Sequence, residues 1–522
     1  MAKFKVRFLP SGVRADVDPG TLISDAAKAA GIMIKLPCNG NGRCGRCNVV
    51  VSQPKVDAEQ CNLSRVLACQ APVDRDMVIS IPSDDSKIMA SNDHRKLKID
   101  DLSPIVEAKK NNHGLAVDIG TTTVAVSLMD MNGGLVLYSA TGYNRQGAHG
   151  DDVLSRIEYA HDGGTDELRN LILETINDLI DSYEGDDFST DSINAVYISG
   201  NTAMTHLFLG IDPSPIREFP YEPVVKEAEI TGKESKLNVN KNAKVICMPS
   251  PAAYVGGDVT SDIINSGMDM SDELSLLIDV GTNGEVALGN DDIMLVCSSS
   301  AGPAFEGGRM TSGMMAKPGA IDSFKINDNG KFEFTVIAGT DPKGICGSGL
   351  IDVLAQLFLN GLIDKKGRFT DKAKTKTIDG RKMLTITKGV FVSEDDIHNA
   401  VLTKAAIYSA STSLIKGLGV TMSDVRKIYI AGGFGNFINT ESAIAIGMLP
   451  DVPRERFVYL GNASLAGAKH ALLSSSVRER IKEVFKRMTY VDLGSDPTFS
   501  DEYMSSLFIP HTEAKRFPTY LR

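Results

Sequence analysis

The chain opens on a strict alternation. Lys3-Phe4-Lys5-Val6-Arg7-Phe8 puts polar and apolar side chains on opposite faces, the period of a strand buried on one side. Residues 13–17 give a second short strand after a turn at residues 9–12, and Asp18-Pro19-Gly20 is a turn signal. Thr21 is then expected to cap a short helix that runs through Ala30 and stops at Gly31. Residues 49–51 and 78–81 read as further strands. From 84 to 112 the pattern dissolves into polar clusters such as Ser91-Asn92-Asp93-His94-Arg95-Lys96, which predicts a linker with a short strand or helix near residues 88–90. Beyond it, the apolar runs at 115–117, 124–129, 195–198, 274–278 and 428–430 predict strands, and 168–182 repeats apolar residues at helical spacing. Short apolar strands that end in Gly-rich turns, with helices beyond, are the plan of an α/β nucleotide-binding fold.

Composition narrows the class. With 522 residues, 42% hydrophobic and 23% charged, the chain is an ordinary globular protein, long enough for about three domains. No apolar run approaches the ~18 residues of a membrane span, and the N-terminus alternates too strictly for a secretory signal. A cytoplasmic location and no membrane partner are expected. A net charge of -11 argues against a nucleic-acid partner, which would need a basic footprint. The charge is unevenly shared. Residues 1–84 hold 11 Lys/Arg and 8 Asp/Glu, a net of +3, which leaves -14 for the remainder and marks a separate N-terminal module.

Cysteine placement supplies the first chemistry. Cys38, Cys44, Cys47, Cys61 and Cys69 fall within 32 residues, whereas Cys247, Cys297 and Cys346 are scattered. In a cytosolic chain such a group reads as metal binding or redox chemistry, since disulfides seldom persist there. Cys38, Cys44 and Cys47 have the spacing C-x5-C-x2-C, and Cys69 follows 22 residues later. Four thiolates can hold two irons bridged by two sulfides. Gly40, Gly42 and Gly45 suit a loop that wraps a small cluster, needs positive φ angles and turns N–H groups toward sulfur. A structural zinc site would prefer two C-x2-C pairs or histidine partners, and this stretch has one such pair and no nearby His. The spacing resembles [2Fe-2S] ferredoxins over residues 3–84, closest to the adrenodoxin-like pattern. That resemblance implies a β-grasp domain and places the last ligand at Cys69, with Cys61 a bystander.

A second chemistry recurs along the chain. Residues 115–123 form a strand followed by Asp118, Gly120 and the hydroxyls of Thr121, Thr122 and Thr123. A glycine there lets the backbone approach a phosphate, hydroxyls and N–H groups donate to its oxygens, and the Asp can hold Mg²⁺ directly or through water. The same layout returns 161 residues later with Asp279, Gly281, Thr282 and Asn283. Its repetition suggests duplicated lobes that clamp a phosphate between two hairpins. A third cluster, with Gly432, Gly433 and Gly435, follows a predicted strand and would suit adenosine, where bare backbone lies against a flat base.

In this order the motifs resemble the acetate and sugar kinase/Hsp70/actin superfamily, as its phosphate-1, phosphate-2 and adenosine motifs. Residues 198–202 and 344–349 fall where its connecting motifs belong. The resemblance implies that an acidic residue near Asp258 positions the attacking water; capping a helix is the other reading of Asp258. A ferredoxin domain fused to this ATPase fold resembles the reductive activators of corrinoid proteins. Further stretches match that family, including Gly200-Asn201-Thr202-Ala203-Met204-Thr205-His206, residues 300–308, residues 347–352 and Phe508-Ile509-Pro510-His511.

The expected architecture is therefore multidomain, α/β and α+β. Residues 1–84 form a β-grasp [2Fe-2S] ferredoxin-like domain and 85–112 a linker. A two-lobed actin/Hsp70/sugar-kinase-like ATPase follows, with lobe I at 113–272 and lobe II at 273–522 including a C-terminal return segment. The resemblance implies an ATP-hydrolysing electron-transfer activator with a [2Fe-2S] cluster, ATP and Mg²⁺. Its metal ligands would be Cys38, Cys44, Cys47 and Cys69, and its catalytic residues Asp118, Asp258 and Asp279. Its partners would be a corrinoid protein of a methyltransferase system, a low-potential electron donor and a second copy in a homodimer. Two other classes fit parts of the pattern: a small-molecule kinase with a fused redox domain, and a redox-sensing ATP-dependent binding protein.

Overall fold

The computed structural model describes residues 3–9, 13–32, 34, 42, 47–52, 64–80, 89–91, 96–183, 185, 188–308, 310–378, 380–433 and 438–520. The N-terminal unit is a five-stranded sheet built from Phe4–Leu9, Arg14–Val17, Asn48–Ser52, Ser64–Leu67 and Met77–Ser80. Phe4–Leu9 pairs antiparallel with Arg14–Val17 and parallel with Met77–Ser80, and helix Ile23–Ala29 joins the sheet's core. The opening alternation is the cause: Val6 and Phe8 are fully buried, and Ile23, Ala26 and Ala27 of the helix pack in the same core. Thr21 does not cap this helix. Its hydroxyl donates to the Asp18 carbonyl within the preceding turn, and Leu22 takes the N-cap position without a side-chain hydrogen bond.

The predicted linker is partly sheet. Met89–Ser91 is the outer strand of a seven-stranded sheet, paired antiparallel with Leu135–Tyr143. Asp101 and Ser103 are tied to Ser475 by side-chain hydrogen bonds of 2.9 and 2.8 Å. Polarity in the described part of this stretch therefore reflects edge and surface positions on the ATPase.

Two sheets then repeat one topology. In the first, strand His113–Ile119 pairs antiparallel with Thr123–Asp130, which pairs antiparallel with Leu135–Tyr143. On its other side it lies parallel to Ile193–Gly200, itself parallel to Lys244–Cys247. In the second, Ser275–Val280 pairs antiparallel with Gly284–Gly289, which pairs with Met294–Ser299. Its other neighbour is the parallel strand Lys427–Ala431, followed by Phe457–Gly461. Both D-x-G-T motifs thus sit at the tip of the first hairpin of their sheet. These strands are buried on both faces, which is why they read as apolar runs without alternation.

The lobes are joined by two crossing helices. Gly257–Ser266, from the first lobe, packs on Ser275–Val280 and Gly284–Gly289 of the second. Ala463–Leu473, from the second, packs on His113–Ile119 and Ile193–Gly200 of the first. A Cβ on Gly467 would stand 2.6 Å from the Ser261 carbonyl oxygen, so the crossing requires glycine. These helices make the interlobe connection. The segments expected to do so, 198–202 and 344–349, are instead the end of strand Ile193–Gly200 with the start of the next helix, and the entry to helix Gly347–Leu359. The reason is steric: a connection between lobes needs a helix with small residues at its crossing point, not a glycine turn.

Filling that crossing should be costly. Gly467→Val is expected to destabilise the ATPase unit by about 1–3 kcal/mol, the usual cost of overpacking. Denaturant unfolding followed by far-UV circular dichroism checks this through the midpoint of the ATPase transition.

Candidate functional site

The two hairpin tips face each other across the cleft between the sheets. Gly120 is required at the first, where a Cβ would stand 2.7 Å from the Thr123 carbonyl oxygen. Thr122 and Thr282 converge, their hydroxyl oxygens 3.3 Å apart. Both donate to one oxygen of Glu306, Thr282 at 2.6 Å and Thr122 in a closer contact. Of the other predicted phosphate donors, Thr121 is buried and its carbonyl accepts from Arg156 at 2.5 Å. Thr123 is exposed as the first residue of its strand, and the Asn283 side chain bonds Glu285.

Asp118 sits at the end of its strand, beside Ser199 in the parallel register. Asn462 donates to one of its carboxylate oxygens at 2.8 Å and Ser464 to the other at 2.7 Å. Asn462 is also the N-cap of helix Ala463–Leu473, accepting from the Leu465 N–H, so one side chain ends a loop, starts a helix and orients the acid. Ser464 continues to Ser199 at 2.9 Å, and Ser199 to Ser261 at 2.9 Å, which links both crossing helices to the first phosphate motif.

Around Asp118 the carboxylates crowd. Asp258 is the second residue of helix Gly257–Ser266, whose N-cap is Gly256, so Asp258 is not the cap; its own carboxylate accepts from the Val259 N–H. Asp262 lies one turn further along the same face. Asp279 and Glu285 are directly paired across the second hairpin. Burial pushes Asp258 and Asp279 up to about 7, and the negative charge of Asp118 adds to both. Burial also raises Asp262 and Glu285 well above the usual carboxylate range, with neighbouring aspartates contributing. Asp118, Asp258 and Asp279 are half-buried and line the cleft, whereas Asp262 and Glu285 lie beneath them. Both oxygens of Asp262 and one of Asp279 receive no hydrogen bond from a neutral donor; the two carboxyls are instead hydrogen-bonded to each other, which requires a shared proton.

Crowded buried carboxylates that no neutral group donates to call for a cation or a shared proton. This donor set therefore fits Mg²⁺. Among the described residues no three acidic, His or Cys side chains form a ready-made chelate. That suits an ion which keeps several waters and shares phosphate oxygens with its nucleotide.

The third glycine cluster divides into two roles. Gly432, at φ 106°, lies against the second phosphate motif, where a Cβ would stand 2.4 Å from the Val280 carbonyl oxygen and 2.8 Å from an Asp279 carboxylate oxygen. Gly433 faces open space, as an adenosine-facing backbone would; Gly435 lies outside the described residues.

In the ferredoxin-like unit, Cys47 and Cys69 are buried with their sulfurs 3.2 Å apart, well beyond the ~2.05 Å of a disulfide. Gln70 turns its side-chain N–H toward the Cys69 sulfur at 3.8 Å, and Gly42 has the positive φ, 69°, expected of the loop. Two converging free thiols fit one edge of an iron–sulfur cluster. Cys38, Cys44 and Cys61 lie outside the described residues.

Sequence reasoning missed Asp262, Glu285, Glu306, Arg156, Asn462 and Ser464 as parts of this site. Four carried a signal. Asp262 follows Asp258 by four residues, one helical turn, and Glu285 faces Asp279 across a short hairpin turn. Asn462 and Ser464 also open a helix in the manner of a capping segment. Glu306 carried only its place in the 300–308 stretch that matches the family, and Arg156 carried none.

Comparison with known proteins fits this arrangement. Residues 6–74 match the 2Fe-2S iron–sulfur cluster binding domain, 113–271 the RACo middle region, and 273–521 the C-terminal ASKHA domain of RACo. The corrinoid activation enzyme RamQ of Eubacterium limosum is 30% identical, over 94% of this chain and 96% of that protein. The [Co(II) methylated amine-specific corrinoid protein] reductase of Methanosarcina barkeri is 26% identical over 76% of each. A solved reductive activator for corrinoid, iron–sulfur protein covers 99% of this chain and 100% of its own at 34% identity, with a TM-score of 0.75. With a clustered-cysteine domain, a duplicated D-x-G-T cleft and near full-length relatives of one kind, the chain belongs to the family of reductive activators of corrinoid proteins.

Proposed function

We propose that this protein uses Mg·ATP to pass one electron to the Co(II) form of a corrinoid protein in a methyltransferase system, returning it to Co(I). The observation that carries the reading is the union, in one chain, of paired free thiols at Cys47 and Cys69 with a two-lobed cleft lined by Asp118 and Asp279. Cys38, Cys44, Cys47 and Cys69 would hold a [2Fe-2S] cluster, which supplies a one-electron carrier. Asp118 and Asp279 would hold Mg²⁺, and Gly433 would lie against adenosine. The electron comes from a low-potential donor, and the protein works in the cytoplasm as a homodimer.

The physical need for ATP is thermodynamic. For one electron, each ~59 mV of unfavourable mismatch lowers the equilibrium about tenfold. Nucleotide binding can offset this only if it favours one of two states of the complex. The lobes meet through two crossing helices and through hydrogen bonds that include a chain from Asp118 to Ser261. Their closure on Mg·ATP is such a two-state element. Closure would favour the docked form in which the cobalt is easier to reduce.

An anaerobic assay tests the reading. Cluster-loaded protein, a low-potential reductant and a Co(II) corrinoid protein should give Co(I) promptly with Mg·ATP and little without it. Asp118→Asn should abolish the ATP effect, and Cys47→Ser should abolish reduction under both conditions. ATP-independent reduction at the same rate would rule the reading out.

Metal affinity should depend on pH. Asp258 and Asp279 ordinarily titrate near 4 and are pushed up to about 7 here, so below that pH they hold protons that Mg²⁺ must displace. Mg²⁺ should therefore bind more weakly as pH falls from about 8 to about 6, by up to ~10-fold per unit for each proton displaced. Calorimetric titration of Mg²⁺ into the ADP-saturated protein reads this, and a flat profile would contradict it.

A further inference from the structure

Glu306 stands apart from the other acids of the cleft. It ends the short turn Pro303–Glu306, half-buried, and one of its oxygens receives the hydroxyls of Thr122 and Thr282 from the two phosphate hairpins. The backbone of Thr282 also bonds its carboxylate. A terminal phosphate gripped between those hairpins must lie beside these hydroxyls, and so beside Glu306. Asp118, Asp258 and Asp279 line the cleft together and repel one another, which suits them to the cation. A carboxylate already neutralised by Mg²⁺ is a poor proton acceptor. Among the described residues the cation acting on Glu306 is Arg156, fixed through the Thr121 and Gly150 carbonyls and the Gln146 side chain. Burial raises Glu306 above the usual carboxylate range, which makes it a better base.

The turn that carries Glu306 is held from outside the cleft. Thr403 donates to the Ala301 carbonyl at 2.7 Å, and a Cβ on Gly347 would stand 1.9 Å from the Phe305 carbonyl oxygen. Gly302 and Gly307, at φ 80° and 78°, bracket the turn. The sequence therefore fixes a carboxylate at the one point where both copies of the phosphate motif meet.

We infer that Glu306 is the general base of ATP hydrolysis in this cleft, holding the attacking water and taking its proton. The water oxygen bonds the terminal phosphorus and its proton passes to the Glu306 carboxylate. The bond from that phosphorus to the bridging oxygen breaks, and its electron pair leaves with ADP. This assignment rests on the reading of the same cleft as an ATP site, and it moves the water-positioning role from Asp258 to Glu306.

Phosphate release by the full, cluster-loaded chain tests it, measured with Mg·ATP alone and with a Co(II) corrinoid protein, while ATP affinity is measured separately at equilibrium. Glu306→Gln should lower kcat by about 10²–10⁴-fold, the usual size of a general-base contribution, and leave the ATP Kd within about threefold. Asp258→Asn should instead raise the Mg²⁺ concentration needed for half-maximal turnover. Circular dichroism and cluster absorbance establish that each variant is folded. Should Glu306→Gln fail to fold, Glu306→Asp decides, with an expected loss of about tenfold or more from a carboxylate set back by one methylene. Turnover at the wild-type rate in either folded variant overturns the assignment. So does tighter ATP binding with turnover kept or raised, which would make Glu306 a competitor of the phosphate. A wild-type chain that binds Mg·ATP without hydrolysing it under either condition overturns it as well. Failure to form Co(I) while Glu306→Gln still stops hydrolysis would sink the partner reading and leave this one standing.

Discussion

Carboxylates that share a buried space cannot all be charged at once. Asp118, Asp258, Asp262, Asp279 and Glu285 come from strand ends, one hairpin and one helix start, and all reach the junction of the two lobes. The packing that makes the lobes dock is also what crowds these acids. Asn462 and Ser464 satisfy Asp118, but no neutral group donates to either oxygen of Asp262 or to one of Asp279, which have only each other. Such groups are retained at a cost in stability where function needs them. In the proposed reading, a divalent cation carried in with a nucleotide would remove the repulsion, so that closing the cleft and binding the metal would become one event.

The crossing helices are the packed elements that such an event would act on. Each packs against strands of the opposite lobe, and they touch where Gly467 meets Ser261. Packed interfaces of this kind hold discrete arrangements and do not deform smoothly. The chain from Asp118 through Ser464 and Ser199 to Ser261 ties the phosphate motif of one lobe to both helices. The ferredoxin-like unit has a core of its own, built on Val6, Phe8, Ile23 and Ile79, in which Cys47 and Cys69 are also buried. One chain thus keeps its electron carrier and its ATP-driven element as separately packed units.

Much of this was legible because the relevant signals are local. A D-x-G-T turn, a C-x5-C-x2-C run and the alternation of residues 3–8 are each contiguous and physically necessary where they stand. The helix at Thr21 was placed in the right region with the wrong cap, since the Thr21 hydroxyl had a nearer partner in the Asp18 carbonyl. The connecting elements were sought at glycine turns, whereas the actual crossing depends on which residues of two distant helices touch, and Gly467 has no meaning until Ser261 is beside it. The polar stretch after residue 84 reads as a linker with a short strand or helix near residues 88–90; the strand is there as Met89–Ser91, and what the composition could not show is that it pairs with Leu135–Tyr143.

The sequence by itself determined that the chain carries a cysteine-clustered redox module and a duplicated phosphate-binding ATPase, because those properties are written in short runs with fixed spacing. It also sufficed to suggest, through resemblance, the class of partner. Only the tertiary structure decided which acids confront one another, which hydroxyls converge and where Glu306 stands. Thr122, Thr282 and Glu306 are separated by 160 and 24 residues in the chain and meet in one hydrogen-bonded group. No local pattern encodes such a meeting, since it depends on the register of two sheets and the crossing of two helices.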